Sequence, residues 1–169
     1  MLTNVLREMN CLQNELNTLC LIESTNKTSE ASTDIFLSVV TDQTLRKKTE
    51  KLFRDGHHAR AVEEAYKFLD NLVYETAEFP GIKSSGASLM QKVFSVDNPI
   101  LKINAGETAS EIDEQKGYLQ ILSGCMTGVR NPRAHDSDWE DTEGHAIELL
   151  ALANHLIEKV KKSTRCSVK

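Results

Sequence analysis

The sequence predicts an all-α protein, a compact bundle of about five to seven helices. Three observations carry this. Apolar residues recur at three- and four-residue spacing along most of the chain. Asp-Gly, Pro-Gly and Asn-Pro breaks cut the chain into pieces of helix length. No convincing run alternates with the period of two that a half-buried sheet needs, and there is no internal repeat. With 169 residues, 40% of them hydrophobic and 27% charged, the chain suits one soluble globular domain with a real core.

The elements follow in order. Val5, Met9, Leu12, Leu16 and Leu19 make a coiled-coil-like seam on one helix, too short to stand free, which packs on the body or on a second subunit. Glu23 to Thr33 is polar and rich in Ser and Thr, so residues 1–33 read as an amphipathic helix and its linker. The helical domain spans 34–162. After the apolar run Asp34 to Val40, Thr41 or Asp42 caps a helix reaching about Phe53, and Asp55-Gly56 stops it.

From His57 to about Glu78 runs the clearest amphipathic helix, with Ala61, Val62, Ala65, Tyr66, Leu69, Leu72 and Val73 on one face. Phe79-Pro80-Gly81 ends it. A short helix capped near Ser84 or Ser85 turns Leu89, Met90, Val93 and Phe94 inward. Asp97 to Gly106 is a loop with room for a brief extended piece at Ile100 to Ile103. The next helix, Ser110 to Gly128, carries Gly117, Gly124 and Gly128, which cost helix stability unless another helix packs close to this backbone. A last helix spans Asp138 to Lys162, and 163–169 is a basic tail expected to fray.

Charge and composition narrow the function. Net charge is -5, which argues against a basic nucleic-acid coat and leaves room only for a local or shared RNA site. Cys11, Cys20, Cys125 and Cys166 are scattered with no Cys-x-x-Cys, as expected of reduced thiols in a cytoplasmic protein rather than a disulfide frame or zinc site. No signal peptide or membrane span is expected. There is no His-Glu-x-x-His, no phosphate-binding Gly-Lys-Ser/Thr and no Gly-x-Ser-x-Gly, so neither a metal nor another cofactor is expected.

The most informative segment is Gly128-Val129-Arg130-Asn131-Pro132-Arg133-Ala134-His135-Asp136. Arg130 supplies a permanent charge that can fork onto a phosphate, and His135 a group that exchanges protons near neutral pH. Asn131 is a good N-cap and Pro132 a good first helical residue, so a helix is expected to begin here with both groups near its anion-favouring end. The plainer reading is a cap and a surface ion pair. Arg133 and Asp136 in the same segment, and His58 and Lys67 on the strong helix, are candidate substrate-binding residues. His57-His58 and Glu63-Glu64 equally suit packing or a solvated face, and the C-terminal Lys159, Lys161, Lys162, Arg165 and Lys169 suit either an RNA patch or a helix end.

The Arg130-Asn131-Pro132-Arg133-Ala134-His135 run resembles the signature of HEPN domains: Arg, a polar residue, three variable positions, then His. The wider resemblance is to the Ymh-type branch. It takes in Leu52 to Ala65, Gly86-Ala87-Ser88-Leu89-Met90 and the Gly117 to Arg130 helix, and covers about Thr41 to Lys159. It implies a helical, usually dimeric fold and, in active members, a metal-independent RNA endonuclease of toxin–antitoxin or antiviral systems. By resemblance Arg130 and His135 are the catalytic pair and Asn131 positions them.

The chemistry agrees. RNA carries its own 2′-OH nucleophile, so cleavage needs a base, an acid and positive charge on the transition state rather than a metal-bound water. One motif offers one His and one Arg; a two-fold homodimer offers both proton-transfer roles. The expected products are a 2′,3′-cyclic phosphate and a 5′-OH. RNA, a second copy and an antitoxin or effector-complex protein are the expected partners. Two alternatives stay open: a non-catalytic HEPN-like module that binds RNA, a nucleotide or a protein, and a helical adaptor that docks through the Val5 to Leu19 seam.

Overall fold

The computed structural model describes residues 32–78 and 84–166. The seam helix, most of its linker, Cys11, Cys20 and the Phe79-Pro80-Gly81 break lie outside the described residues. The chain divides into two compact units, Met1–Phe36 and Leu37–Lys169. Residues 32–36 of the first are helical. The second holds α1 (Gln43–Arg54), α2 (His58–Ala77), α3 (Gly86–Val93), α4 (Ala109–Cys125), a π-helical segment (Met126–Arg130), α5 (Asn131–His135) and α6 (Glu143–Lys161). The expected all-α class is borne out, with one small addition described below.

Asp42 starts α1 as expected: its backbone is extended and its carboxylate accepts the Leu45 N–H at 2.8 Å. The same residue donates its own N–H to Asn154 Oδ1 at 2.9 Å, and its second oxygen pairs with Lys161. One buried Asp therefore caps α1 and ties it to α6. α1 ends at Asp55-Gly56, where Gly56 takes a φ of +80° that only glycine enters without strain.

α2 lies at the centre, packed against α1 and α6. Ala61, Val62, Ala65, Tyr66, Leu69 and Val73 are fully buried, on the face the spacing predicts. Each buried side chain the size of Leu69 contributes about 1.5–3 kcal/mol. Tyr66 keeps its polar end satisfied by donating its hydroxyl to Leu149 O at 3.1 Å. On the same helix, Asp70 Oδ1 accepts the Gly86 N–H at 2.8 Å and so anchors the start of α3. Ser85 occupies the N-cap position there but makes no capping bond. Leu89, Met90, Val93 and Phe94 turn inward from α3 as expected.

Backbone pairing bears out the brief extended piece near Ile100 to Ile103 and corrects the expectation of a fraying tail. Leu101–Lys102 and Thr164–Arg165 form a two-stranded antiparallel ladder, Leu101 opposite Arg165. The start of the tail is therefore tied down rather than frayed, and Arg165 also pairs with Glu78. Gln115, buried on α4, holds the other side of the first strand. Its Nε2 donates to Phe94 O and Leu101 O at 3.1 Å, and its Oε1 accepts the Ile103 N–H at 2.9 Å. The last helix also starts later than expected, at Glu143, because Thr142 supplies the cap by accepting the His145 N–H.

Candidate functional site

Pro132 decides the local geometry of the Arg130 to His135 segment. A proline inside an α-helix lacks an N–H and clashes with the carbonyl four residues back. Here the helix absorbs it by widening. Met126–Arg130 is π-helical, the Asn131 N–H reaches Met126 O five residues back, and α5 continues directly from it. The expectation of a fresh helix capped by Asn131 is thus corrected. Asn131 has right-handed helical φ and ψ of -63° and -44°. The segment sits at the C-terminal end of a long helical run, where the chain presents carbonyls rather than free N–H groups, so the expected anion-favouring helix start is absent.

The side chains of the segment divide into engaged and available groups. Arg133 is engaged. Its Nε and Nη2 each donate to Asp141 at 2.6 Å and its Nη1 to Val129 O at 2.7 Å, with 2% of the side chain exposed. Its guanidinium also lies over the Trp139 ring, 5.5 Å from the centroid. The arginine considered for substrate binding is a strut between α5 and the loop that follows. Burial raises the Asp141 carboxyl, but the Arg133 bonds outweigh it and hold the group below the usual carboxylate range.

Arg130 is available. Its Nη1 donates to Asn131 Oδ1 at 3.2 Å, while its buried Nε has no acceptor among the described residues. A buried guanidinium nitrogen without an acceptor is costly. Asn131 orients this guanidinium through that contact. His135, the last residue of α5, is exposed. At 100° per residue, Arg130 and His135 leave the helix about 140° apart and about 7.5 Å along the axis.

The other candidates fall in two places. His58 and Asp136 meet across a cleft of about 420 Å³ walled by the Gly56–Arg60 turn and by the loop carrying Asp136, Ser137, Trp139, Glu140 and Asp141. Two stretches far apart in sequence thereby come together. Lys67 lies elsewhere on α2, held by Glu63 at 2.9 Å and Glu64 at 3.0 Å. Both contacts raise its ammonium above the ordinary value, so it stays charged and paired. The described members of the C-terminal basic cluster are similarly paired, Lys159 with Glu114, Lys161 with Asp42, Lys162 with Glu158 and Arg165 with Glu78, while Lys169 lies outside the described residues. Among the described residues no three His, Cys, Asp or Glu side chains group to hold a metal ion, and no helix is long and apolar enough to cross a membrane.

The segment, the cleft and the helices that carry them all fall within the stretch that matches a family model, Protein of unknown function (Hypoth_ymh), over residues 40–160. The chain belongs to the Hypoth_Ymh family. No curated protein and no solved structure matches it. The Hypoth_Ymh match reaches from the residue before the Thr41–Asp42 cap to Val160 near the end of α6, so it covers the bundle and stops short of the second strand.

Sequence reasoning does not single out Trp139 and Glu140 of the cleft wall. One signal points to them: Trp139 is the single tryptophan of the chain, set in an acidic loop rather than on an apolar helix face. It remains 39% exposed. The glycines of α4 and of the π-helical segment give a second finding. A Cβ built at Gly117, Gly124 or Gly128 meets nothing within 4 Å, and Ile112 and Ile121 on α4 are each 44% exposed. Within the described part of one copy, nothing packs against these glycines.

Proposed function

We propose that this Hypoth_Ymh protein is a HEPN-like, metal-independent RNA endonuclease with a composite Arg130/His135 site completed by a second copy. The observation that carries the reading is Arg130. Its guanidinium is half-buried, oriented by Asn131 and short of an acceptor, whereas Arg133 three residues on is fully committed to Asp141. A phosphate oxygen is the acceptor a guanidinium fits best. His135 is exposed and free to exchange protons with solvent-accessible substrate.

The divergence of the two side chains around α5 favours completion by a second motif. The exposed, glycine-bearing α4 leads directly into Arg130 and offers the face for close two-fold contact. In such a site one His135 takes the 2′-OH proton, which frees that oxygen to attack phosphorus. The partner's equivalent histidine protonates the departing 5′-oxygen, and the two arginines balance the charge on the pentavalent phosphorus. A toxin or antiviral effector role, and a neutralising protein partner, belong to the same reading. The alternative is a non-catalytic HEPN-like module that binds RNA, a nucleotide or a protein through the same groups.

The test is RNA cleavage in EDTA, wild type against His135→Ala, with chemical typing of the product ends. Cleavage by wild type alone, leaving 2′,3′-cyclic phosphate ends, is expected. A folded dimer that cuts no RNA class moves the assignment to the binding module.

A further inference from the structure

We infer that the cleft between the Gly56–Arg60 turn and the Asp136–Asp141 loop is a nucleotide pocket that seats an unpaired guanine of the RNA, an inference that rests on the RNA reading above. Its volume of about 420 Å³ falls in the range of small-ligand sites and accommodates a nucleoside monophosphate. Its walls differ in chemistry. One carries His57 and His58, suited to a sugar-phosphate, and Arg60, whose Nη1 pairs with Glu63 and whose other guanidinium nitrogens have no bond among the described residues. The other carries Trp139, a flat apolar surface, together with the carboxylate residues Asp136 and Glu140.

A large indole left 39% exposed in a polar cleft is the platform on which unstacked bases settle. The loop that presents it is held by buried groups. Arg133 lies over the indole and grips Asp141, the Trp139 Nε1–H points to Asp141 Oδ1 at 3.4 Å, and the Asp136 carboxylate accepts the Asp138 N–H at 3.0 Å. The ring is therefore pre-positioned, and ordering it on binding costs little.

The carboxylates select the base. Asp136 keeps one oxygen free of the Asp138 contact, and Glu140 has no hydrogen-bond or ion-pair partner among the described residues. Acceptors on this wall match a base edge rich in donors. Guanine presents two adjacent N–H donors on its Watson–Crick edge, which one carboxylate accepts together; adenine and cytosine present one amino group; uracil presents a single N–H between two carbonyls that a carboxylate repels. The cleft adjoins the Arg130–His135 segment along the chain: Arg133 of that segment and Asp136, the residue after it, both line the cleft.

Because Trp139 is the single tryptophan, intrinsic fluorescence of the full chain reads this cleft directly. Guanosine, cytidine, adenosine and uridine monophosphates are titrated into the His135→Ala protein, which cannot consume RNA, with ribose 5-phosphate as the control. Saturable quenching is expected, tightest for GMP and weakest for UMP, with GMP binding weakened about tenfold by Glu140→Gln. In the cleavage assay Trp139→Phe and Trp139→Ala are expected to raise KM, by about tenfold for the alanine, while kcat changes little. No saturable quenching, equal binding of UMP and GMP, or ribose 5-phosphate binding as tightly as GMP overturns the inference. Quenching in the expected order without cleavage by wild type leaves the pocket standing and removes the nuclease. Cleavage with an unchanged KM in folded Trp139→Phe and Glu140→Gln proteins does the reverse.

Discussion

Asp141 accepts two hydrogen bonds from Arg133, each 2.6 Å long, with 1% and 2% of the respective side chains exposed. This fork joins the end of α5 to the loop that carries Trp139, and so holds the candidate cleft and the Arg130–His135 segment in one geometry.

Breaking the fork from one side leaves a buried charge without its partner. Arg133→Ala and Asp141→Ala are each expected to destabilise the fold by about 3–5 kcal/mol, read as the shift of the urea midpoint at constant m-value. A loss below about 1 kcal/mol for both would show that the pair is not buried in solution.

The fork also sets an acid limit. Asp42, Glu63 and Asp141 are all held below the ordinary carboxylate range. In each, burial pushes the pKa up and is outweighed by hydrogen bonds and charge, chiefly from Lys161, from Lys67 with Arg60, and from Arg133 respectively. A carboxyl depressed in the folded state contributes stability that is full above its unfolded pKa of about 4 and is lost as the pH falls through its folded value. Urea midpoints are therefore expected to hold from neutral pH down to about 5 and to fall below about 4. Asp141→Asn should lower the neutral midpoint and flatten this acid decline; an equally steep decline would assign it to other groups.

Gly117 and Gly124 report on the α4 face. A Cβ added at either position meets nothing within 4 Å, so Gly→Ala is expected to stabilise an isolated copy by about 0.5–1 kcal/mol through helix propensity. If a second copy packs there, Gly124→Gln should convert dimer to monomer in light scattering and abolish cleavage, while circular dichroism stays unchanged. A Gly124→Gln protein that remains a dimer would move the contact off this face.

His135 and Arg130 should separate chemistry from folding. His135 is exposed and makes no hydrogen bond or ion pair among the described residues, so His135→Ala is expected to change stability by no more than about 0.5 kcal/mol. Loss of a proton-transfer group should slow cleavage by about 10²–10⁴-fold. In cells the wild type is expected to suppress growth without its neutralising partner, and both His135→Ala and Arg130→Ala to relieve it. Equal growth for all three would count against a toxin.

Local rules explain where sequence and structure agree. The Asp42 cap, the Asp55-Gly56 stop and the buried face from Ala61 to Val73 follow from a short side chain, a positive φ and a 3.6-residue period, each contained within a few neighbouring residues. The divergences all involve partners distant in sequence or a competing local preference. Asn131-Pro132 predicts a helix start, whereas the helical run of α4 continues through Asn131 and absorbs the proline as a π segment. Thr164–Arg165 has the composition of a fraying tail because its strand partner lies 62 to 64 positions away, at Leu101–Lys102.

The candidate site divides along the same line. The residue types of the Arg130–His135 segment and their spacing are properties of consecutive residues, and the amino-acid order alone determines them. Which arginine is free is decided only in three dimensions. Arg130 and Arg133 are chemically identical, and what separates them is an acceptor: Asp141 comes back across the loop to satisfy Arg133, and no described residue does so for Arg130 Nε. The cleft likewise exists only because the bundle brings the Gly56–Arg60 turn against Trp139 and its acidic neighbours. Hydrogen-bond satisfaction and burial are pairwise quantities, and the fold supplies the second member of each pair.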